Sequence, residues 1–255
     1  MVVSFDISKK RHPRVTQKDR VYVRPRAEIE DFRFDQNVAN VFQDMAERSI
    51  PGYRLLLDLI GTITKNYATP TTNLYDLGCS LGEGTIQLRK NSPENCQVIG
   101  VDSSEAMIKN CILNLKKEGL ETKTEIRREN IEATSIENAS IILLNWTLQF
   151  IENDSRNHLI RNIYASLNKG GVLILSEKIS SNSEEEQKTF GNLHELFKQE
   201  KGYSLLEIAQ KRKAIEKVLI PDTEQRHHKR LEQAGFKKIL KYFQSLNFVS
   251  FLAIK

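Results

Sequence analysis

Apolar residues recur along this chain in two rhythms that change near residue 73. Before it, Phe34, Val38, Val41, Phe42 and Met45 fall on one helical face, which predicts an amphipathic helix over 35–48. Pro51-Gly52 interrupts the pattern, and Leu55, Leu56, Leu59, Ile60 and Ile63 mark a second helix over 53–67. After it, short apolar runs at 74–77, 97–101, 124–127, 140–145 and 172–176 are separated by helical stretches at 83–90, 104–118 and 153–167. Such alternation predicts a parallel sheet built from βα units and covered on both faces. The connection after the third run is short and is assigned no helix. A charged, largely helical insertion follows at 184–219, then a helix at 223–234 ahead of Gly235-Phe236. Runs at 238–244 and 248–255, joined by Ser245-Leu246-Asn247, predict an antiparallel hairpin at the sheet edge. The reading is an α/β fold with a mostly parallel seven-stranded sheet, a C-terminal antiparallel hairpin and a helical insertion, forming one domain over 31–255.

Composition narrows the class. With 39% hydrophobic and 28% charged residues the chain has a globular profile. No stretch approaches the roughly 18 to 20 apolar residues of a membrane span, and Met1-Val2-Val3-Ser4-Phe5-Asp6 lacks a secretory leader's pattern, so the expected location is the cytoplasm, away from membranes. Cys79, Cys96 and Cys111 form no Cys-x-x-Cys pair, so neither a disulfide framework nor a zinc site is indicated. Residues 1–30 carry eight Lys or Arg against four Asp or Glu within a net charge of +5. This stretch reads as a flexible, solvated basic arm that could touch RNA; direct nucleic-acid binding is not required by it.

The chemistry concentrates after the first strand, in Asp76-Leu77-Gly78-Cys79-Ser80-Leu81-Gly82. A strand running into a glycine-rich turn and then a helix lets backbone approach a ligand closely. A dinucleotide fingerprint counted from Gly78 would need glycine where Ser80 and Glu83 stand. The pattern acidic-x-Gly-x-Gly/Ser-x-Gly instead resembles the first motif of the Rossmann-like methyltransferase superfamily, which implies that S-adenosylmethionine is the ligand. Asp102 ends the next strand, where an acid can accept hydrogen bonds from ribose hydroxyls or cap the following helix. Asn145-Trp146-Thr147-Leu148 ends the fourth strand and is not the Asn/Asp-Pro-Pro-aromatic motif of enzymes that methylate exocyclic amines. Trp146 reads as core packing.

Longer stretches are more specific. Val41-Phe42-Gln43-Asp44-Met45, Arg48-Ser49-Ile50-Pro51-Gly52-Tyr53, Asn145-Trp146-Thr147-Leu148-Gln149-Phe150, Leu175-Ser176-Glu177-Lys178, Gly202-Tyr203-Ser204, Gln210-Lys211-Arg212 and Ala234-Gly235-Phe236 resemble the carboxy-S-adenosyl-L-methionine synthases. That resemblance, spread over residues 34–255, implies a homodimer that converts S-adenosyl-L-methionine and prephenate into carboxy-S-adenosyl-L-methionine and phenylpyruvate. The product would supply a downstream enzyme that modifies the tRNA wobble uridine. Carried over residue by residue, it implies ligand contacts at Tyr53, Gly78, Cys79, Ser80, Asp102, Ser103, Asn130, Ile131, Asn145 and Arg212, with Asn145 and Arg212 nearest the chemistry. Asn130 stands where an acid commonly meets the adenine amino group, keeping an acceptor oxygen without the charge.

Arg212 also stands out on its own helix. Over 203–219, Leu205, Ile208, Ile215 and Leu219 form a stripe with Arg212 inside it, Lys211 just outside its edge and Lys213 pointing away. A guanidinium there needs an anion, a structural carboxylate or a place at the rim. A carboxylate on the cofactor would be such an anion: the methyl carbon beside a sulfonium can lose a proton, and the resulting ylide can attack carbon dioxide. Lys178, after the fifth strand, is a candidate by location alone for assisting decarboxylation, beside the plainer reading of a surface lysine. Two other readings remain open on the loop and the arm alone: an ordinary methyltransferase of a small molecule or RNA, and a non-catalytic adenosyl- or RNA-binding module.

Overall fold

Strict alternation in the central strands decides the architecture. A computed structural model describes residues 17–255. In β4 (Ala139–Asn145), Ile141 and Leu143 face one side of the sheet while Ile142 and Leu144 face the other, and all four are fully buried. A strand buried on both faces must be covered twice. One layer is α2 (Tyr53–Tyr67) with α3 (Glu83–Asn91), packed through Leu56, Leu57, Ile60 and Leu88. The other holds α5 (Asn153–Ser166) and α8 (Glu224–Ala234), packed through Leu159, Ile160, Ile163 and Leu231.

The strands β1 (Asn73–Leu77), β2 (Gln97–Asp102), β3 (Thr124–Arg128), β4, β5 (Leu167–Ser180), β7 (Lys238–Ser245) and β8 (Phe248–Ile254) lie in the order β3-β2-β1-β4-β5-β8-β7. The first five are parallel, and β8 runs antiparallel between β5 and β7. This is the Rossmann-like methyltransferase arrangement anticipated from the sequence. One strand was not anticipated: the two-residue β6 (Asp222–Thr223) pairs with the end of β5, too short to leave an apolar pattern. Strand order reverses between β1 and β4, so a crevice opens at their carboxyl ends, where ligands of such sheets sit.

Three helices frame that crevice: α1 (Gln36–Ser49), α6 (Glu184–Glu200) and α7 (Leu205–Ile215). Asp35 caps α1 by accepting from the Val38 N–H at 2.9 Å, and Ser204 with Glu207 forms a capping box on α7. α4 (Glu105–Glu118) is capped by Ser104 beside the glycine loop. Among the described residues no helix is long and apolar enough to cross a membrane.

The described part of the basic arm is anchored to α7. Asp19 and Tyr22 are buried, and Gln210 of α7 donates to the carbonyls of Tyr22 and Arg24 while accepting from the Arg26 N–H. Residues 17–30 are therefore held to the domain at these points while most of their side chains stay exposed, because α7 offers an amide that satisfies their backbone. Residues 1–16 of the arm lie outside the described residues.

A buried ionic cluster closes the insertion. Arg156, 1% exposed, donates to Asp222 at 3.1 Å and to the carbonyls of Gln149, Ile151 and Ile220. Arg230 donates to the same Asp222 carboxylate at 2.6 Å. Burial opposes ionisation of Asp222, but the guanidiniums of Arg230 and Arg226 outweigh it and hold the carboxyl at about 2. Removing the carboxylate would leave two guanidiniums buried without an anion. Asp222→Ala should therefore lower unfolding free energy by about 3–5 kcal/mol in urea titrations at pH 7. Because the folded carboxyl titrates low, the gap between wild type and variant should persist above pH 4 and close as pH falls toward 2.

Candidate active site

The glycine loop is shaped by backbone that only small residues tolerate. Gly78 (φ +86°) and Gly82 (φ +84°) are left-handed, and a Cβ on Gly78 would lie 2.4 Å from Thr147 Oγ1. Ser80 also takes positive φ (+49°), held by its N–H donating to Asp102 Oδ2 at 2.9 Å. The other oxygen of Asp102 accepts from the Ser104 N–H at 2.8 Å, so this acid fastens both the loop and the start of α4. Desolvation nevertheless raises its pKa. Asp76 is buried below the loop, accepts from Thr85 Oγ1 at 2.7 Å, and burial pushes it up to about 7.

At the end of β4 the chain bends sharply. Trp146 adopts φ +59°, its N–H donates to the Ser176 carbonyl at 2.8 Å, and its indole stacks on Tyr53 at 5.4 Å between centroids. A tryptophan in left-handed conformation stores strain that the surrounding contacts must hold. Two buried polar atoms beside it, Asn145 Oδ1 and Trp146 Nε1, have no protein partner. Glu177 of β5 fixes the next turn: its Oε1 accepts from the Leu148 N–H at 2.9 Å. Burial drives its pKa up to about 8, against the pull of the Leu148 and Gln149 N–H groups and of Arg156 and Arg230.

A cavity of about 790 Å³ joins these features to the insertion. Its wall includes Tyr53, Gly78, Cys79, Ser80, Asp102, Ser103, Asn130, Ile131, Asn145 and Arg212, the ten positions singled out from the sequence. Asn130 uses its Oδ1 to accept from the Glu132 N–H at 2.9 Å, which leaves its NH2 group free to face a ligand. Cys79 packs against Cys111, and its thiol is held well above the usual range by that neighbour and by burial.

The insertion is where the sequence reading needs most correction. α7 is shorter than 203–219, and its buried residues are Glu207, Ile208, Gln210 and Ala214, whereas Leu205 is 61% exposed. Arg212 is not buried in an apolar stripe; its side chain is exposed at the cavity rim and pairs with Glu195. Lys211 is the cation turned inward, donating to Ser49 Oγ at 2.9 Å, and burial lowers its pKa to about 7. The cause is that α7 contacts the 17–30 segment on one side and the cavity on the other, so polar side chains face inward. Lys178 lies within β5 rather than after it, half-buried at the cavity. Trp146 packs in the core as expected, and it also borders the cavity. Sequence reasoning passed over Glu177, although a lone carboxylate inside the apolar run from Val172 to Ile179 is a visible signal.

A methyltransferase domain model matches residues 74–171. The carboxy-S-adenosyl-L-methionine synthase of Hahella chejuensis is 46% identical over 93% of this chain and 98% of its own length. That of Shewanella piezotolerans is 44% identical over 94% and 99%. This chain belongs to the carboxy-S-adenosyl-L-methionine synthase family. Solved structures share the fold: an O-methyltransferase family protein from Burkholderia thailandensis (TM-score 0.62, 13% identity, 87% of this chain and 60% of that one) and human N-acetylserotonin methyltransferase (0.57, 14%, 86% and 55%). The family is one of transferases that use S-adenosyl-L-methionine, and this cavity fits that molecule. The left-handed Gly78 leaves room that a side chain would fill, and Asn145 and Trp146 hold polar atoms that lack partners within the protein.

Two outcomes follow for this family member. Gly78→Ala should weaken S-adenosyl-L-methionine binding by at least about tenfold in calorimetric titration, since the methyl group meets Thr147 and the backbone is strained. For Glu177, the folded state keeps a proton up to about pH 8 that the unfolded chain releases near its ordinary value of 4.5. Its contribution to stability therefore falls as pH rises through that window. Glu177→Gln should gain in melting temperature relative to wild type between pH 5 and pH 8, and a constant difference would contradict the assignment.

Proposed function

We propose that this protein makes carboxy-S-adenosyl-L-methionine from S-adenosyl-L-methionine and prephenate, with release of phenylpyruvate. The observation that carries the reading is Arg212 in the wall of the cavity that also holds the glycine loop. Methyl transfer needs no cation there, whereas a new carboxylate on the methyl carbon does. S-adenosyl-L-methionine supplies a methyl carbon acidified by its sulfonium, able to form a carbon–carbon bond to carbon dioxide. The proton it loses and the hydroxide expelled as the donor's ring becomes aromatic leave as water, so the exchange balances without an oxidant.

The chain's residues have separable tasks in this scheme. Gly78, Cys79 and Ser80 present backbone to the adenosyl ligand, Asp102 and Ser103 receive its ribose, and Asn130 and Ile131 border its base. Tyr53, stacked on Trp146, and Asn145, with its unpartnered oxygen, flank the reacting end. Arg212 exchanges Glu195 for the new carboxylate, a bidentate pairing that suits a guanidinium.

The same reading includes a homodimer in the cytoplasm whose product is consumed by an enzyme that modifies the tRNA wobble uridine. Leu193 and Leu196 on α6 and Leu205 and Leu206 on α7 are exposed apolar side chains on neighbouring helices, which supports a partner surface there.

Purified protein incubated with both substrates should yield a nucleoside heavier than S-adenosyl-L-methionine by one carbon dioxide in mass spectrometry; its absence would overturn the reading. Arg212→Ala should lose at least about tenfold in affinity for the carboxylated nucleoside while changing affinity for S-adenosyl-L-methionine by less than about threefold. Equal losses would make the arginine structural.

A further inference from the structure

The cavity is divided by charge. Asp76 and Asp102 border it on the glycine-loop side, while Lys178 from β5, Lys198 from α6, and Lys211 and Arg212 from α7 border it on the insertion side. The acids on that second side are already engaged. Glu195 pairs with Arg212, and Glu207 is held by the Ser204 cap. His194 is no substitute cation: burial and nearby lysines push its pKa to about 3, and its ring bonds the Ser49 carbonyl at 2.7 Å.

Lys211 has Ser49 Oγ as a partner. Lys178 and Lys198 differ from it: neither ammonium has a hydrogen-bond or ion-pair partner among the described residues, and Lys178 has only the ring of Phe248 at 6.0 Å. Both side chains are half-buried. Burial, and then repulsion from Lys178 and Arg212, lower Lys198 to about 8; burial and Arg212 lower Lys178. Like charges gathered in a partly desolvated space, where the one carboxylate facing Lys198 is Glu195 and is already paired with Arg212, are unfavourable, and an entering anion relieves all of them together. The adenosyl ligand enters as a net cation, its single carboxylate offset by its own ammonium and its reacting end a positive sulfonium, so a second molecule must supply that anion.

We propose that Lys178 and Lys198, with Lys211 at their edge, form a carboxylate subsite distinct from Arg212, which receives a dicarboxylate co-substrate. The inference rests on the preceding reading for the identity of that co-substrate, prephenate, which carries two carboxylates; the subsite itself rests on the unpartnered lysines. Its work is binding and orientation: it holds one carboxylate of the donor while the other departs as carbon dioxide into a space bordered by Arg212.

Calorimetry on protein loaded with S-adenosylhomocysteine, which has no methyl group to carboxylate, separates binding from turnover. Prephenate should bind wild type, and Lys178→Gln and Lys198→Gln should each weaken it at least about tenfold, with S-adenosylhomocysteine affinity within about twofold of wild type. Lys198→Arg should restore most of the loss. Prephenate affinities within about twofold of wild type in both glutamine variants would overturn the subsite and leave the synthase activity standing. If prephenate fails to bind but succinate binds with the same dependence on both lysines, the donor's identity is wrong and the subsite holds. If neither binds, the subsite is overturned.

Proton uptake gives a readout that a structural lysine would not move. Lys198 faces Lys178, Arg212 and Glu195, and Lys211 faces Asp19, Asp44, Arg48 and Lys198. An anion raises the lowered pKa values, so binding at pH 8 should draw protons from the buffer, and less so in Lys198→Gln. Equal uptake in the two proteins would remove Lys198 from the subsite.

Discussion

A guanidinium almost without access to water holds the two halves of the cavity together. Arg156 binds the carbonyls of the turn that follows β4 and, with its remaining donors, the Ile220 carbonyl and the Asp222 carboxylate where the insertion returns to the sheet. The first half carries Asn145 and Trp146, and the second carries Lys198, Lys211 and Arg212. Their facing one another depends on a charge that cannot be left unpaired, and Arg230 adds a second such charge to the same carboxylate. Sheet packing alone would place the glycine loop, but not the wall opposite it.

Burial acts in opposite directions at the two ends of that cavity. At the loop it raises Asp76 and Asp102, and at the insertion it lowers Lys178, Lys198 and Lys211. Each group is held in a less favourable charged state than it would have in water, and each is relieved by a ligand of the opposite sign. The reaction proposed above would bring both signs into the cavity, a sulfonium on one substrate and carboxylates on the other.

Much of this was legible in the sequence, and the reason differs by element. The loop could be read because left-handed backbone and close approach restrict residue choice, so Gly78 and Gly82 advertise their geometry. Asp102 could be read because strand ends in a doubly wound sheet have a fixed relation to the ligand. The strands of the central sheet could be read because burial on both faces leaves unbroken apolar runs. The orientation of α7 could not: it touches two surfaces, so no single stripe describes it, and Lys211 rather than Arg212 turns inward. The anchoring of residues 17–30 depends on amide contacts from Gln210, 184 to 188 residues away in sequence, which no local pattern encodes. Lys178 and Lys198 gain meaning only from the partners they lack, a property of the folded molecule.

The insertion of β8 between β5 and β7 has a consequence for how the protein comes into being. The cavity wall draws on Phe32 near the start of the described chain and on Phe248 in the last strand, and β8 is the strand that joins β7 to the rest of the sheet. A ribosome must therefore release almost the entire polypeptide before a complete pocket exists. Chains cut short before β8 lose both the strand that joins β7 to β5 and the Phe248 stretch of the cavity wall.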